Sequence, residues 1–382
     1  LCDRMGFVVM DELFDCWKLG KTPNAYSRDF DVWHERDVMN FVRRDRNHPG
    51  VILWSSGNEV KEPNGRPDSL ECSRGLTALF HREDPTRKVA NGMHNGQAMV
   101  NGFAQTFDIA GYNYRAILAK TPHYLDHIKK NPQQPFFGSE TASAVSSRGV
   151  YFFPVSDKKN GGFFQFQVSS YDLYAPGWAN IPDVDFDSAD RLPALAGEFV
   201  WTGFDYLGEP TPYNKDVSNL LNYQTKAERK AMETEMNALG GNVPSRSSYF
   251  GIVDLAGFPK DRYYLYQSRW RPELPLAHLL PHWNWPGREG QITPVELYTS
   301  GDEAELFLNG KSLGRLKKGE HEYRLCWNDV KYEPGELKAV VYKNGQRWAE
   351  DVRRTTGEAT ALQLSPDRAS IRADGSDLSF VT

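Results

Sequence analysis

The chain has 382 residues, with 45 basic and 50 acidic side chains and a formal net charge of −5; a nucleic-acid-binding protein would show a basic face, so we do not expect nucleic acid as a partner. Hydrophobic residues make up 40% of the sequence and the mean hydropathy is −0.60, which predicts globular domains with apolar cores, about two or three at this length. No run approaches the ~20 apolar residues that a membrane-spanning helix needs, so no membrane span is expected.

Aromatic residues reach 13%, with 10 Trp and 18 Tyr. Such a content suits a carbohydrate site because aromatic rings stack on the C–H faces of sugars, although aromatic rings also fill cores. The four cysteines include no CxxC pair, so we expect free thiols and neither a zinc site nor a disulfide framework. The chain begins at Leu1, almost inside a strand. We interpret it as a piece of a longer protein, and a missing targeting segment is then uninformative.

Apolar runs and amphipathic segments alternate through the first part of the chain. Residues 6–12 form an apolar run that ends in Asp11 and Glu12, which predicts a buried strand with acidic residues at its C-terminal end. Residues 30–46 carry apolar side chains at helical spacing, and another apolar run follows at residues 51–54. Strand, helix and strand in this order form a βαβ unit.

The stretch that ends at Glu59 carries the strongest functional pattern. The run Val-Ile-Leu-Trp at 51–54 has no polar alternation, which is typical of a strand buried on both faces of a parallel sheet. Small residues end the run, and Asn58 and Glu59 follow at its C-terminal end. In a β/α barrel the catalytic side chains lie at that end of the strands.

A second stretch repeats this pattern. Residues 135–140, Pro-Phe-Phe-Gly-Ser-Glu, again pass from an apolar run through small residues to a glutamate, Glu140. A single glutamate near a strand end is usually a solvated loop residue, but the repetition favours a paired site at Glu59 and Glu140. Two carboxyl groups across a cleft are the catalytic groups of glycoside hydrolysis.

Predicted strands and helices alternate over roughly the first 275 residues. The strands lie near residues 7–12, 51–54, 88–92, 108–113, 135–139 and 198–202. The helices lie near residues 30–46, 68–82, 122–130, 185–195, 224–238 and 257–270. This order predicts an α/β fold, a (β/α)8 TIM-type barrel that lacks its first two units. A doubly wound sheet is the alternative, but no Gly-rich phosphate loop supports it.

The segment 141–195 lacks clean periodicity. A loop of this length is uncommon unless it is functional, so we expect it to form one side of the active-site cleft.

After Pro286-Gly287 the pattern changes to apolar–polar alternation with period two, and two Asn-Gly hairpin signals separate the segments: Asn309-Gly310 and Asn344-Gly345. We therefore predict a catalytic barrel domain at 1–287 and an all-β immunoglobulin-like sandwich at 288–356. Residues 357–382 are expected to begin a further β domain.

The assembled motifs resemble those of glycoside hydrolase family 2, the family of β-galactosidases and β-glucuronidases. The resemblance covers roughly residues 1–275 as the catalytic barrel, and Trp-Ser-Ser-Gly-Asn-Glu at 54–59 is its most specific motif. The sandwich looks like those that follow the barrel in bacterial members. The supporting stretches are Asp45-Arg-Asn-His-Pro, Gly138-Ser-Glu140, Gly197-Glu-Phe-Val-Trp201-Thr-Gly-Phe-Asp-Tyr206 and Gly208-Glu-Pro-Thr-Pro-Tyr213.

The resemblance implies a retaining double displacement, with Glu140 as the nucleophile and Glu59 as the general acid/base. In such enzymes the two carboxyl groups lie about 5–5.5 Å apart. Glu59 is then expected to be partly protonated, with a raised pKa, and Glu140 to be ionised.

The same resemblance implies five further contacts. Asn58 is expected to hydrogen-bond the sugar 2-hydroxyl, and Tyr114 to donate to the nucleophile. Trp201 is expected to line the sugar subsite, with core packing as the alternative for Tyr114 and Trp201. Asp11 and Glu12 are expected either to contact the sugar or only to hold the strand end. Four histidines are weaker candidates for sugar hydroxyls, because a lone histidine is more often structural: His34, His48, His94 and His123.

Two departures from the family pattern bear on cofactor and substrate. Some members bind magnesium through a glutamate and a histidine that follow the Asp-Glu pair corresponding to Asp11 and Glu12. Here the following residues, 13–18, contain no histidine. No metal and no other cofactor is therefore expected. Residues 241–244, Gly-Asn-Val-Pro, lack the lysine of the glucuronidase subgroup, which favours a neutral sugar, with galactose as the leading candidate.

The leading prediction is a retaining exo-β-glycosidase, a β-galactosidase, acting on terminal non-reducing sugars of an oligosaccharide or polysaccharide. Two alternatives stay open: the same mechanism on another β-glycoside (a mannoside, a glucuronide or a modified galactan), and a non-catalytic carbohydrate-binding protein. A homo-oligomer also stays open, and a periplasmic or secreted bacterial location is favoured over a cytoplasmic one. Because a barrel without two strands has open edges, we expect the chain alone to be poorly soluble or inactive.

Overall fold

The computed structural model describes residues 1–114, 122–158, 161–164, 166–213, 225–238 and 247–382. Six parallel strands form one curled half-barrel sheet in the order of the chain. They are β1 (Val9–Glu12), β2 (Val51–Asn58), β3 (Lys88–Met93), β4 (Ile109–Asn113), β5 (Phe136–Ala142) and, after the small hairpin of β6 (Phe163–Phe164) and β7 (Gln167–Val168), β8 (Leu195–Trp201). The barrel-type α/β fold and its predicted strands are confirmed.

Helices connect these strands. They are α1 (Cys2–Met5), α2 (Phe30–Asp45), α3 (Glu62–Gly65), α4 (Ser69–Glu83), α5 (Gly96–Val100), α6 (Pro122–Lys130), α7 (Pro182–Arg191), α8 (Lys226–Ala238) and α9 (Asp261–Trp270), with short 3₁₀ turns at Tyr26–Arg28 and Ala104–Thr106. In the described parts of the chain, no helix combines the length and the apolar character that crossing a membrane requires.

The side chains of β2 show how the sheet is packed. Trp54 is buried against Phe41 of α2 and Phe80 of α4, with ring centroids 5.5 and 6.4 Å apart. Leu53 belongs to a separate cluster inside the sheet with buried residues of β3 and β5. Ile52 is 53% exposed, so the prediction of a strand buried on both faces is wrong at this position. Ile52 has no register partner on β1 or β3.

Two antiparallel sheets follow the half-barrel and form the predicted β-sandwich. One has the order β13-β10-β9 and the other β12-β11-β14-β15, from β9 (Ala277–Leu280), β10 (Val295–Thr299), β11 (Glu303–Leu308), β12 (Lys311–Lys317), β13 (Leu325–Trp327), β14 (Glu336–Lys343) and β15 (Gln346–Arg354). Leu297 of one sheet and Leu306 of the other are fully buried in the shared core. Both Asn-Gly turns have positive φ at both residues, as two-residue hairpins require.

The strand β9 lies before the predicted domain boundary at 287–288, yet it pairs with β10 along its whole length. By its hydrogen bonds it belongs to the sandwich. The division at 1–287 and 288–356 stays a prediction. Residues 357–382 are largely exposed, with an isolated bridge between Pro366 and Val381, and the further β domain predicted there also stays a prediction.

Arg324 of the sandwich joins the two units. Its Nε donates to Asp183 of α7 at 2.9 Å, and its Nη1 donates to Glu296 of β10 at 3.0 Å. The same Nη1 reaches the backbone oxygen of Tyr171 at 3.0 Å. The side chain of Arg324 is only 8% exposed, so these carboxylates compensate a buried positive charge.

We expect Arg324→Met to lower the free energy of unfolding by about 3–5 kcal/mol, because removing one partner leaves buried carboxylates unpaired. Urea unfolding followed by fluorescence measures the change. The control is Arg315→Met, since Arg315 pairs with Glu303 at the surface with 41% of its side chain exposed, and such pairs contribute about 0–1 kcal/mol. Equal losses in the two variants would contradict a special role for Arg324.

Candidate active site

Glu59 follows directly after β2 at the C-terminal end of the sheet. Its backbone lies in the left-handed region, with φ 47°, and its N–H donates to the carbonyl of Gly92 on β3 at 2.8 Å. Its Oε1 accepts a hydrogen bond from Asn113 Nδ2 at 3.0 Å. Both contacts fix the direction in which the carboxyl group points.

Asn113 connects three strands behind the two glutamates. The side chain is fully buried. Its Nδ2 donates to Asn58 Oδ1 at 2.9 Å as well as to Glu59, and its Oδ1 accepts from Ser139 Oγ of β5 at 2.5 Å. In the parallel ladder, Asn113 is also the register partner of Glu140. One amide therefore sets the spacing between the strand ends that carry Glu59 and Glu140.

Glu140 lies in β5, and Tyr114 holds it from the neighbouring strand end. The Tyr114 N–H donates to the Glu140 carbonyl at 2.6 Å, and the Tyr114 hydroxyl donates to Glu140 Oε2. The backbone of Tyr114 has φ 52°, which turns its ring back over the end of β5. The structure thus contains a hydrogen bond between Tyr114 and Glu140, at the place where the resemblance implies one.

The electrostatics of Glu140 differ from the expectation. Burial, followed by the carboxylates of Glu59 and Glu12, raises the pKa of Glu140 to about 8. The resemblance implies an ionised carboxyl here at neutral pH, so the raised pKa runs against that expectation, and the role of Glu140 stays a prediction.

A cavity of about 330 Å³ opens beside these groups, lined by Glu59, His94, Tyr114, Trp178 and Glu209. The rings of Tyr114 and Trp178 meet edge to face, with centroids 4.7 Å apart. Trp178 is 41% exposed and offers an aromatic face to a sugar. The volume lies within the range of small-molecule sites.

Glu12 and Asp11 are neighbours in β1, but their side chains have different surroundings. Glu12 receives a hydrogen bond from Ser55 Oγ at 2.7 Å and acts electrostatically on Glu140, and burial raises its own pKa. Asp11 instead lies beside Asp45 of α2, and burial followed by that neighbour raises the pKa of Asp11 to about 6. Successive strand residues face opposite sides, so only one of the two can face the site. The position of Asp11 beside Asp45 favours the alternative in which it only holds the strand end over a contact with the sugar.

Trp201 does not line the cavity. Its ring packs on Tyr206 with centroids 5.8 Å apart and hydrogen-bonds the Tyr206 hydroxyl. That hydroxyl in turn donates to Glu209, which does line the cavity. Burial and then the bond to Glu209 raise the pKa of Tyr206, so it stays a proton donor. Trp201 is thus linked to the cavity residue Glu209 through Tyr206, and its predicted contact with the sugar stays a prediction.

Sequence reasoning missed Asn113, Trp178 and Glu209 as site residues. Glu209 stands inside the family motif at 208–213, so a signal was present; Trp178 lies in the segment predicted to wall the cleft. Of the four candidate histidines, His94 lines the cavity, with Nδ1 3.8 Å from Glu59 Oε2. The others are placed elsewhere or not described: His34 stacks on Phe30, His48 pairs with Asp3, and the side chain of His123 lies outside the described residues.

A metal site is not apparent in the parts of the chain that the structure describes. No group of three or more His, Cys, Asp or Glu side chains is placed there to hold an ion. The four cysteines are unpaired thiols.

Comparison with known proteins gives the family. Residues 1–235 match the model of the glycosyl hydrolases family 2 TIM barrel domain, and residues 290–349 match a domain of unknown function, DUF4982. The chain is 38% identical over 426 residues to the β-galactosidase BoGH2A of Bacteroides ovatus, covering 100% of this chain and 45% of that protein. It is 32% identical over 404 residues to a putative β-glucuronidase of Formosa agariphila, covering 97% of this chain and 33% of that protein.

A solved β-glycosidase from Bacteroides vulgatus is similar in structure, with a TM-score of 0.75 and 30% identity over 98% of this chain and 45% of that one. The chain thus spans less than half the length of these relatives. The chain belongs to glycoside hydrolase family 2, and its barrel part carries that family's catalytic domain fold.

Proposed function

We propose that this chain carries the catalytic groups of a retaining exo-β-galactosidase. One observation carries the proposal: Glu59 and Glu140 stand at neighbouring strand ends, joined through Asn113 and Tyr114, beside a sugar-sized cavity. A purely sugar-binding protein has no need for two carboxyls held in this way. The same arrangement is what a double displacement requires.

In the first step, a Glu140 carboxylate oxygen attacks the anomeric carbon while Glu59 donates its proton to the leaving oxygen. A glycosyl–enzyme ester forms as the glycosidic bond breaks. In the second step, Glu59 takes a proton from water, the water oxygen attacks the anomeric carbon, and Glu140 leaves as a carboxylate. In this mechanism the two interacting carboxyl groups share one proton, and that proton must lie on Glu59 when substrate reacts. The hydrogen bond from Tyr114 stabilises the ionised form of Glu140 and so favours that distribution.

The sugar is the finer part of the proposal. Two features support galactose: the similarity to a β-galactosidase along the whole chain, and the absence of the glucuronidase lysine at 241–244. The similarity to a putative β-glucuronidase makes a glucuronide the second candidate.

Trapping the intermediate tests the function. A 2-fluoro β-galactoside with a good leaving group should label a full-length protein that carries this chain. We expect one adduct, located by peptide mass spectrometry on Glu140. The corresponding 2-fluoro β-glucuronide serves as control and should label far more slowly. Labelling by the glucuronide alone would contradict the galactosidase proposal, and labelling at another residue would contradict the role of Glu140.

A further inference from the structure

Carboxylates dominate the charge around the cavity. Glu59 and Glu209 line it directly, and Glu12 and Glu140 lie close enough to each other for Glu12 to raise the pKa of Glu140. Acidic side chains therefore outnumber basic ones in the described lining of the cavity.

Few cations balance this charge in the described part of the chain. Lys21 acts on Glu140 and lowers its pKa, but its ammonium group is ion-paired with Asp15 at 2.7 Å. His94 lies 3.8 Å from Glu59 and is the histidine that lines the cavity. Neither group lies in the loop that carries Glu209 into the lining of the cavity.

Glu209 is held in place by its own loop. It follows Gly208 (φ 101°) and itself has φ 43°, a conformation uncommon for a residue with a side chain. Its carbonyl accepts from the Thr211 N–H at 2.8 Å. The Tyr206 hydroxyl donates to its Oε2. A carboxylate has about four acceptor positions, so one bond from Tyr206 leaves capacity for the hydroxyl groups of a ligand.

We propose that Glu209 selects the sugar: its carboxylate accepts hydrogen bonds from the hydroxyl groups of a neutral sugar and repels the carboxylate of a uronic acid. This inference rests on the proposed function, because it concerns the substrate of the same site. Rejection by an uncompensated like charge is a common device for specificity. It needs no bulky obstacle in the cavity, and a neutral sugar does not meet it.

Two substrates that differ at one position test the proposal. The p-nitrophenyl β-galacturonide carries a carboxylate at C6 where the β-galactoside carries a hydroxymethyl group. The measured quantity is the ratio of kcat/KM for galactoside to galacturonide at pH 7 in the full-length protein. In the wild type we expect at least about 100-fold preference for the galactoside. Glu209→Gln removes the charge at nearly constant shape and should lower this ratio by about tenfold or more, and Glu209→Lys should lower it further.

Tyr206→Phe is the matched control. It removes the hydrogen bond to Glu209 but keeps the negative charge, so both rates should fall while the ratio stays within about threefold of wild type. An unchanged ratio in both Glu209 variants would overturn the proposal. So would a ratio that falls as much in Tyr206→Phe as in Glu209→Gln, because orientation rather than charge would then decide.

Two further measurements keep the outcomes distinct. If the fluoro-galactoside labels Glu140 in the wild type but the Glu209 variants keep the wild-type ratio of kcat/KM, the role of Glu209 is wrong and the proposed function stands. If the wild type shows neither labelling nor turnover of either substrate, the role of Glu209 and the proposed function are both wrong. If the Glu209 variants fail to fold, inhibition of the wild type by galactose and by galacturonate decides. Raising the salt concentration from 0.05 to 0.5 M should strengthen only galacturonate inhibition, since salt screens repulsion; equal responses would overturn the proposal.

Discussion

Glu140→Gly will lower kcat for β-galactoside hydrolysis on the order of 10⁵-fold in a full-length protein that carries this chain. The variant lacks the carboxylate that forms the glycosyl ester, while the bond from the Tyr114 N–H to the backbone carbonyl of residue 140 and the bond from Ser139 to Asn113 remain to hold the strands in place. Steady-state kinetics with an aryl galactoside measures the loss. The control is Glu198→Gln: Glu198 is also a partly buried carboxyl, on β8, but it accepts hydrogen bonds from Thr141 and Trp270 and does not line the cavity, and the rate of this variant should stay within about tenfold of wild type.

Azide gives this prediction a stereochemical test. In Glu140→Gly an azide ion can occupy the space of the missing carboxylate and attack the anomeric carbon once, with Glu59 still protonating the leaving oxygen. A single displacement inverts the configuration, so the product is the α-galactosyl azide, identified by proton NMR. A β-azide from this variant, or no loss of rate without azide, would contradict Glu140 as the nucleophile.

The loss of hydrolysis rate in Glu59→Gln will depend on the leaving group of the substrate. Hydrolysis of an unactivated galactoside such as lactose should slow by about 10²–10⁴-fold, the usual contribution of a general acid. A dinitrophenyl galactoside needs no protonation, so its first step should be nearly unaffected, and a burst of dinitrophenol should precede a slow second step. Azide then attacks the intermediate from the free side and gives the β-azide. Equal losses on both substrates would contradict the role of Glu59 as acid.

The pH profile of the same variant follows from the charge on the pair. In the wild type the last shared proton leaves as the pH rises through about 8, the pKa of Glu140 that burial, Glu59 and Glu12 raise. The acid is then lost, so kcat/KM should fall above that pH. Glu59→Gln removes a negative charge that raises the pKa of Glu140, and the dinitrophenyl leaving group needs no proton from an acid. For this substrate, kcat/KM should therefore rise with pH to a plateau, with a midpoint below 8. An unchanged alkaline limb would contradict this coupling.

Hydrophobic pattern was sufficient to predict the strands and helices of the half-barrel because each is a short local signal. Glu59 and Glu140 could be proposed as a pair because both follow an apolar run at the end where parallel strands gather functional groups. The helix α9 begins at Asp261, four residues after its predicted start at 257, because Pro259 pairs with Val253 in extended conformation. Such pairing between distant residues leaves no periodic trace in the sequence.

The errors at the site have similar causes. Asp11 and Glu12 are adjacent acidic residues that the sequence pattern cannot distinguish. Their side chains point to opposite faces of β1, and the register of β1 on β2 decides which of the two faces the site. Trp178 and Glu209 lie in irregular segments, where no period predicts direction. The raised pKa of Glu140 depends on how deeply its carboxyl is enclosed and on Glu12, which comes from a strand 128 residues earlier in the sequence. No local pattern contains that information.

The pairing of β9 with β10 has a practical consequence for dividing the protein. A shortened chain that starts at residue 288 would leave β10 with an open edge and would also lose Leu279 and Trp283 from the buried core of the sandwich. A shortened chain that stops at 287 would carry the same four-residue strand, Ala277–Leu280, with nothing to pair with. An expression boundary therefore belongs before Ala277, in the proline-containing stretch Arg271–Pro275 that follows α9.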